Sequence, residues 1–516
     1  MNHRKITIDR TAKTVPTDFS WQFGIGNDHA CQMLRTDVCE HVKLAHDELG
    51  LSYIRFHGIF DDDLLVIQRL TDYFNFAAMP WADKIRETSF RQIANVFDNV
   101  LKCGMKPFVE LSFMPGAIAK GKKIGLRYRN RIDMPKKTEL WCELIENFIR
   151  FLLDRYGREE VESWYFEVWN EPDLPIFFHG KQSDYFRLYA ETAKTIKSVD
   201  PALRVGGPST SACRWIPEFR RYCEENHIPC DFLTTHHYPG DGFGNSFGVK
   251  DALKMMQTTH RNAKNGVDLG DTLTEYFFKP EVYKTWTKGI LRKLDRKVRQ
   301  EAGEMPLYIT EWNSMAVYSS PVHDEKYSAA FLVKSVMDLN GSMNGYMFWC
   351  CSDVFEELFI LGKPFHGSYG IVSNDGIPKP NFWGFKLLSE LYPNRLELPV
   401  TDDDVEYAVF TDGGKTQILL YAQDFDYDKH ETTEIEITVN QAARSVTKQV
   451  IDDTHCNPKA EWIKLGKPDL LTPEQVRTIK AKTKLTAEPH PFTSGTASTT
   501  ISVTMQTNDT VLLTLE

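Results

Sequence analysis

Two acidic residues stand at the ends of apolar, strand-like runs: Glu171 in Phe-Glu-Val-Trp-Asn-Glu-Pro-Asp (166–173) and Glu311 in Tyr-Ile-Thr-Glu-Trp-Asn (308–313). Two carboxyl groups facing one gap are what glycosidic bond cleavage requires. One protonates the leaving oxygen, and the other attacks the sugar or activates water. A single Glu at a strand end is more often a helix cap or an ion-pair partner, so the neighbours decide. Asn170 supplies an amide that can hold a sugar 2-hydroxyl. Pro172 stops the strand and stiffens the turn that carries Glu171.

Such residues need a scaffold that brings distant segments together. Between residues 20 and 392, strand-like and helix-like runs alternate. The candidate strands are Trp21–Gly26, Tyr53–His57, Pro107–Ser112, Tyr165–Trp169, Arg204–Gly207, Phe232–His236, Leu307–Thr310 and Gly345–Trp349. Their residues are apolar on both faces, as in buried parallel strands. Helical periodicity lies between them, at 138–155, 183–199 and 325–339, with Thr138 and Ser183 as expected N-caps of the first two. This predicts an α/β fold, a (β/α)8 TIM barrel over residues 15–395. A doubly wound sheet is the alternative, but no GxGxxG follows a strand. In a barrel, Glu171 ends the fourth strand and Glu311 the seventh, so both would face the cleft at the strands' C-terminal ends.

After residue 395 the texture changes to short alternating runs: 407–410, 417–421, 434–439, 445–451, 500–504 and 511–515. Turns such as Asp412-Gly-Gly separate them, predicting an accessory antiparallel β-sandwich domain over 396–516. Residues 1–14 would join it through a strand at Lys5–Asp9. The absence of clustered Trp favours a structural rider over a sugar-binding module.

The chain has 516 residues with a formal net charge of -10 and pI about 5.9, a balance that disfavours nucleic acid and anionic membrane. The basic run Lys120–Lys123 with Arg127, Arg129 and Arg131 reads as a solvated loop. Ten cysteines lack CxxC or zinc-type spacing, which suits a reducing compartment. The N-terminus shows no apolar signal core and no run is long enough to span a membrane, so a cytoplasmic location is the expectation. His236 and His237 beside Tyr238 lack a third ligand at zinc spacing, and no metal or cofactor is expected. Phe177 and Phe178, just beyond Glu171, read equally well as a sugar platform or as packing.

The two acidic motifs resemble those of retaining glycoside hydrolases built on (β/α)8 barrels, and more narrowly glycoside hydrolase family 39, the bacterial β-xylosidases. The likeness extends to Tyr-Ile-Arg-Phe-His-Gly (53–58), Lys-Pro-Phe-Val-Glu-Leu-Ser-Phe-Met-Pro (106–115), Val-Gly-Gly-Pro (205–208), Ser-Asp-Val-Phe-Glu-Glu (352–357), Phe-His-Gly-Ser-Tyr-Gly-Ile-Val (365–372), Ile-Pro-Lys-Pro (377–380) and the run 451–458. It implies Glu171 as acid/base, Glu311 as nucleophile, and His57, Asn170, His236, Tyr238, Trp349, Glu356 and Glu357 as sugar-binding residues. It implies an oligosaccharide substrate carrying terminal β-D-xylosyl residues, and a homo-oligomer, often a tetramer. The same machinery could serve α-L-iduronides, β-galactosides, β-glucosides or α-L-arabinopyranosides, and a degenerate barrel could bind sugar without turnover. The chain departs from the family pattern at His237 and Trp312, both expected beside the reacting sugar.

Overall fold

The structure is a computed structural model that describes residues 2–73, 81, 85–126, 128–240, 249–357 and 363–516. Arg127, one member of the basic run, lies outside the described residues.

Eight strands form a closed parallel barrel: β1 (Gly24–His29), β2 (Tyr53–His57), β3 (Lys106–Leu111), β4 (Tyr165–Val168), β5 (Arg204–Thr210), β6 (Phe232–His237), β7 (Leu307–Trp312) and β8 (Gly345–Phe348). Each pairs with its sequence neighbours, and β8 closes onto β1. The helices α1 (Thr36–Leu49), α2 (Arg91–Lys102), α3 (Thr138–Tyr156), α4 (Gln182–Val199), α5 (Ile216–Glu225), α6 (Ile290–Ala302), α7 (Lys326–Leu339) and α8 (Pro380–Ser389) return the chain between strands. This is the (β/α)8 barrel that the alternating runs predict. The first strand starts later than expected, because Ser20–Phe23 forms a 3-10 turn and Phe23 packs under the barrel floor. The expected caps also shift. Lys137 and Lys181 occupy the N-cap positions, leaving Thr138 and Ser183 inside their helices. At α4 the orphan amide of Lys181 is satisfied by the Asp184 carboxylate at 2.9 Å.

Inward-facing side chains are layered. At the bottom, Phe108, Tyr165, Phe232, Tyr308 and Met347 pack with Phe23 and Tyr53 into one apolar cluster. Two residues further along the strands, the period of β structure brings Arg55, Glu110 and Glu167 into the same interior, all buried. The barrel is thus plugged below and polar above.

Apart from a short antiparallel pair, Ile67–Arg69 with Arg86–Thr88, the described residues outside the barrel form two larger sheets, as the alternating tail predicts. Asn2–Ile8 pairs in parallel with Thr432–Val439 in a four-stranded sheet. A seven-stranded sheet carries Thr14–Pro16 and Asn394–Leu396 as well as Glu406–Asp412, Lys415–Tyr421, Val446–Ile451 and Thr510–Leu515. Alternation explains how this larger sheet is buried on both faces. Val409, Ile418, Leu420, Leu513 and Leu515 face the other sheet, while Ala408, Phe410, Leu419, Tyr421 and Leu512 join the barrel's core cluster. The α7 helix lies between barrel and sheet and is buried nearly all round, which is why its sequence carries only a narrow polar face. Two helices, Pro458–Lys464 and Pro473–Lys482, interrupt the β region and pack Trp462 and Ile479 against Phe365 and Ile377.

Candidate active site

The upper barrel layer is organised around Arg55, a fully buried residue of β2. Its Nε donates to Glu167 Oε2 at 2.6 Å, and one terminal nitrogen donates to Glu311 Oε1 at 2.8 Å. The other terminal nitrogen reaches Asn170 Oδ1 at 2.8 Å, Ser209 Oγ at 3.1 Å and Glu110 Oε2 at 2.8 Å. The planar fork of a guanidinium suits this task, because its donors are fixed relative to one another. Burial disfavours the charge, but Glu167, Glu110 and Glu311 outweigh it and hold Arg55 above its ordinary pKa.

Glu311 reaches the interior through a local irregularity. The register of β7 against β8 shifts between Ile309 and Trp312, and that of β6 against β7 shifts between Thr235 and His236. Consecutive residues can then serve one face, as bulges allow. Thr310 Oγ1 donates to Glu167 Oε1 at 3.0 Å, while Glu311 takes Arg55 on one oxygen and the Tyr238 hydroxyl on the other, at 3.1 Å. Glu171 lies just past β4 with φ of 39°, and its amide donates to Ser209 O at 2.8 Å. A left-handed non-glycine residue is costly and persists where its surroundings fix it.

His236 bridges the pair, with Nδ1 3.0 Å from Glu171 Oε1 and 3.5 Å from Glu311 Oε2. One oxygen of each carboxylate and this ring lie within 4.8 Å of one another. Burial, reinforced by Arg55 and only partly opposed by Glu311, pushes His236 down to about 4, so the ring is neutral at pH 7. His57 differs. Its Nδ1 lies 2.7 Å from Glu110 Oε2 and its Nε2 3.6 Å from Glu311 Oε1. Burial lowers its pKa, but Glu110, Glu357 and Glu311 prevail and raise it to about 9. Burial likewise works to raise Glu110, and His57 and Arg55 overcome it and hold it at about 2.

Around this centre stand a wall and a rim. The Trp349 ring lies against His57 with centroids 4.7 Å apart, and Phe177 lies 6.1 Å from His57 on another side. Gly26 makes room for Trp349, since a Cβ there would sit 2.6 Å from the indole Cε3. Phe178 turns away into the core, between Trp169 and Tyr185. Glu357 is buried, and that burial, with Asp28, Glu311 and Glu171 added, pushes it to about 8 against the pull of His57. Glu356 stands nearer solvent, with Oε1 3.8 Å from Arg35 and its amide donating to Asp28 at 2.7 Å. Asn170 Nδ2 is buried without a hydrogen-bond partner among the described residues, a donor available to a hydroxyl.

The structure therefore brings Glu171, Glu311, His57, Asn170, His236, Tyr238, Trp349 and Glu357 to one end of the barrel, with Glu356 beside them. Two sequence expectations are corrected. His237 and Trp312 do not face the barrel interior, because each follows an inward residue on its strand and points to the helical layer. His237 Nδ1 lies 2.7 Å from Asp295 of α6, and Trp312 packs among Phe331, Tyr346 and Phe348. Sequence reasoning overlooked Arg55, Glu110 and Glu167, although a charge inside an apolar strand run is a signal that can be read. As for metals, among the described residues two groups of ligand-type atoms converge, Glu171–His236–Glu311 and His29–Cys31–Asp63. In the first, the Arg55 cation already occupies Glu311, which disfavours a second cation.

A family model described as glycosyl hydrolases family 39 matches residues 4–267 and 270–498. A β-xylosidase of Caldicellulosiruptor saccharolyticus is 35% identical over 491 residues, covering 94% of this chain and 92% of that protein. One from Geobacillus stearothermophilus is 28% identical, covering 96% of this chain and 92% of its own. The solved structure of a monomeric β-xylosidase from Caulobacter crescentus CB15 superimposes with a TM-score of 0.77 at 29% identity, covering 99% of each chain.

Proposed function

Because this chain belongs to glycosyl hydrolases family 39, we propose that it is an exo-acting β-xylosidase that removes terminal β-D-xylosyl residues with retention of configuration. The observation that carries this reading is the closeness of Glu171 and Glu311, each with an oxygen within 4.8 Å of the other's. Retaining enzymes keep their carboxyl groups about 5–5.5 Å apart, and inverting enzymes leave about 6.5–9.5 Å for a water. The named activities of the Caldicellulosiruptor and Geobacillus relatives support xylose as the sugar.

In the first step Glu311 attacks the anomeric carbon while Glu171 gives its proton to the departing oxygen. In the second, Glu171 takes a proton from water, which displaces Glu311 from the sugar. Arg55 and Tyr238 hold the two oxygens of Glu311, so the attacking group is oriented before substrate arrives. With its proton on Nδ1, neutral His236 donates to Glu171 Oε1 when that carboxyl is ionised. The unpartnered Asn170 amide takes the 2-hydroxyl, and a protonated Glu357 donates to an outer hydroxyl. His57, Trp349 and Glu356 complete the sugar's surroundings. No organic cofactor enters this chemistry.

The sheet pair acts as a structural rider in this account, since one face of its larger sheet is spent on the barrel. A homo-oligomer follows from the family likeness, and sedimentation at the mass of one chain, as the Caulobacter crescentus protein is described, would remove it. Among the described residues no helix is long and apolar enough to cross a membrane. The ten cysteines are scattered without CxxC or zinc-type spacing, which supports a reducing, cytoplasmic setting, testable by cell fractionation.

The reaction is tested by following hydrolysis of an aryl β-xyloside by proton NMR beside a panel of other nitrophenyl glycosides. The β-anomer of xylose appears first if the reading holds. An α-anomer first, or preference for another glycoside, overturns mechanism or substrate respectively.

A further inference from the structure

At the C-terminal end of β1, three side chains converge that the glycosidase chemistry does not use. His29 Nδ1 lies 3.2 Å from Cys31 Sγ and 3.4 Å from Asp63 Oδ2, and one ligand atom from each residue lies within 4.8 Å of the others. A tetrahedral zinc ion has bonds of about 2.0–2.1 Å to nitrogen, about 2.0–2.2 Å to oxygen and about 2.3 Å to sulfur, which places its ligand atoms about 3.3–3.7 Å apart. The spacing of the three side chains thus already approaches that of a coordination shell.

A second, separate observation points the same way. The other ring nitrogen of His29, Nε2, lies 2.6 Å from Asp61 Oδ2, and both side chains are almost wholly buried. Ligating histidines characteristically give their second nitrogen to a carboxylate, which fixes the ring and raises its basicity. Here that partner turns Nδ1 toward Cys31 and Asp63. Solvent can reach the cluster, because Cys31 is part-buried and the Asp63 side chain is 42% exposed.

We propose that His29, Cys31 and Asp63 form a binding site for one divalent ion of zinc's class, with water in the fourth position. Binding exchanges the Cys31 thiol proton, and any proton on His29 Nδ1, for the ion and releases them to solvent. The ion ties the segment after β1 to the segment after β2. It also bears on the rim of the sugar site, because Tyr128 stacks on His29 with centroids 4.1 Å apart and donates its hydroxyl to Asp28.

The test titrates the full chain with zinc by calorimetry and with cobalt by absorbance, where a thiolate ligand gives a near-ultraviolet charge-transfer band. One equivalent binds with that band. Cys31→Ser abolishes the band, Asp63→Asn weakens binding at least tenfold, and Asp61→Asn weakens it by about 10–100-fold. Because Glu171, His236 and Glu311 also converge, Glu171→Gln serves as the control and retains both binding and band. The proposal is overturned if the wild type shows no thiolate band, if the band survives Cys31→Ser, or if Glu171→Gln alone removes it. Circular dichroism checks that each variant folds, and the Asp63 variant, altered at an exposed group, decides the matter should Cys31→Ser not fold.

Discussion

The lower and upper halves of the barrel interior are built by the same strands at successive inward positions, yet they share almost no chemistry. On β2, β3 and β4 the lower residues are Tyr53, Phe108 and Tyr165, and the residues two further on are Arg55, Glu110 and Glu167. Below, ring meets ring, as in Phe108 and Tyr165 stacked at 5.2 Å, and the polar content is largely tyrosine hydroxyls. Above, a buried cation is shared among three carboxylates and an amide. The apolar half closes the barrel without directing anything. The polar half spends burial on charge, and such a network is worth keeping where its orientation is needed, because buried ion pairs contribute little net stability.

The contrast can be broken by substitution. The largest effects belong to the carboxylates. Glu171→Ala should slow xylobiose hydrolysis by about 10²–10⁴-fold while sparing activated aryl glycosides. Glu311→Ala should be slower still, and azide should restore turnover with an inverted product. Wild-type rates on xylobiose in both variants would end the assignment. Next comes Arg55→Met, which strands Glu110, Glu167 and Glu311 together. It should cost about 3–5 kcal/mol in urea unfolding, beyond any loss of rate.

A pH effect sharpens the same contrast. His57 titrates near 6.5 when unfolded and at about 9 when folded, so its contribution is full below pH 6.5 and fades as pH rises through 9. Glu357, raised from 4.5 to about 8, acts in the same sense, its contribution fading from pH 4.5 through 8. The melting temperature should therefore fall between pH 6.5 and 9, and His57→Gln should flatten that limb. The smallest effect lies below. Tyr308→Phe removes a hydroxyl 3.1 Å from that of Tyr165 and should cost about 0.5–1.5 kcal/mol with kcat unchanged.

The sequence made the scaffold readable because parallel strands buried on both faces stand out as short apolar runs between amphipathic helices. All eight runs became strands, and both glutamates lie at one end of the barrel. What stayed hidden depends on neighbours. Period two puts His237 outside, and simple alternation would have shown this once His236 was placed inside. It would not have served at Glu311, where a register shift lets Thr310 and Glu311 share the interior. That shift is set between strands, and no single run encodes it. The helices Pro458–Lys464 and Pro473–Lys482 were not anticipated within the β tail, although an N-cap followed by proline marks a helix start. Asn457 accepts from Ala460 at 3.0 Å, and Gln475 closes a capping box on Thr472.

The proposed reaction turns on attack by Glu311 on a sugar held against Glu171. The direct measurement is mass spectrometry of peptides after incubation with a 2-deoxy-2-fluoro-β-xyloside bearing a good leaving group, which slows the second step more than the first. One fluoroxylosyl adduct per chain is expected, on the peptide containing Glu311 and absent from Glu311→Gln. An adduct on a different residue, or turnover with no adduct at all, would contradict this mechanism.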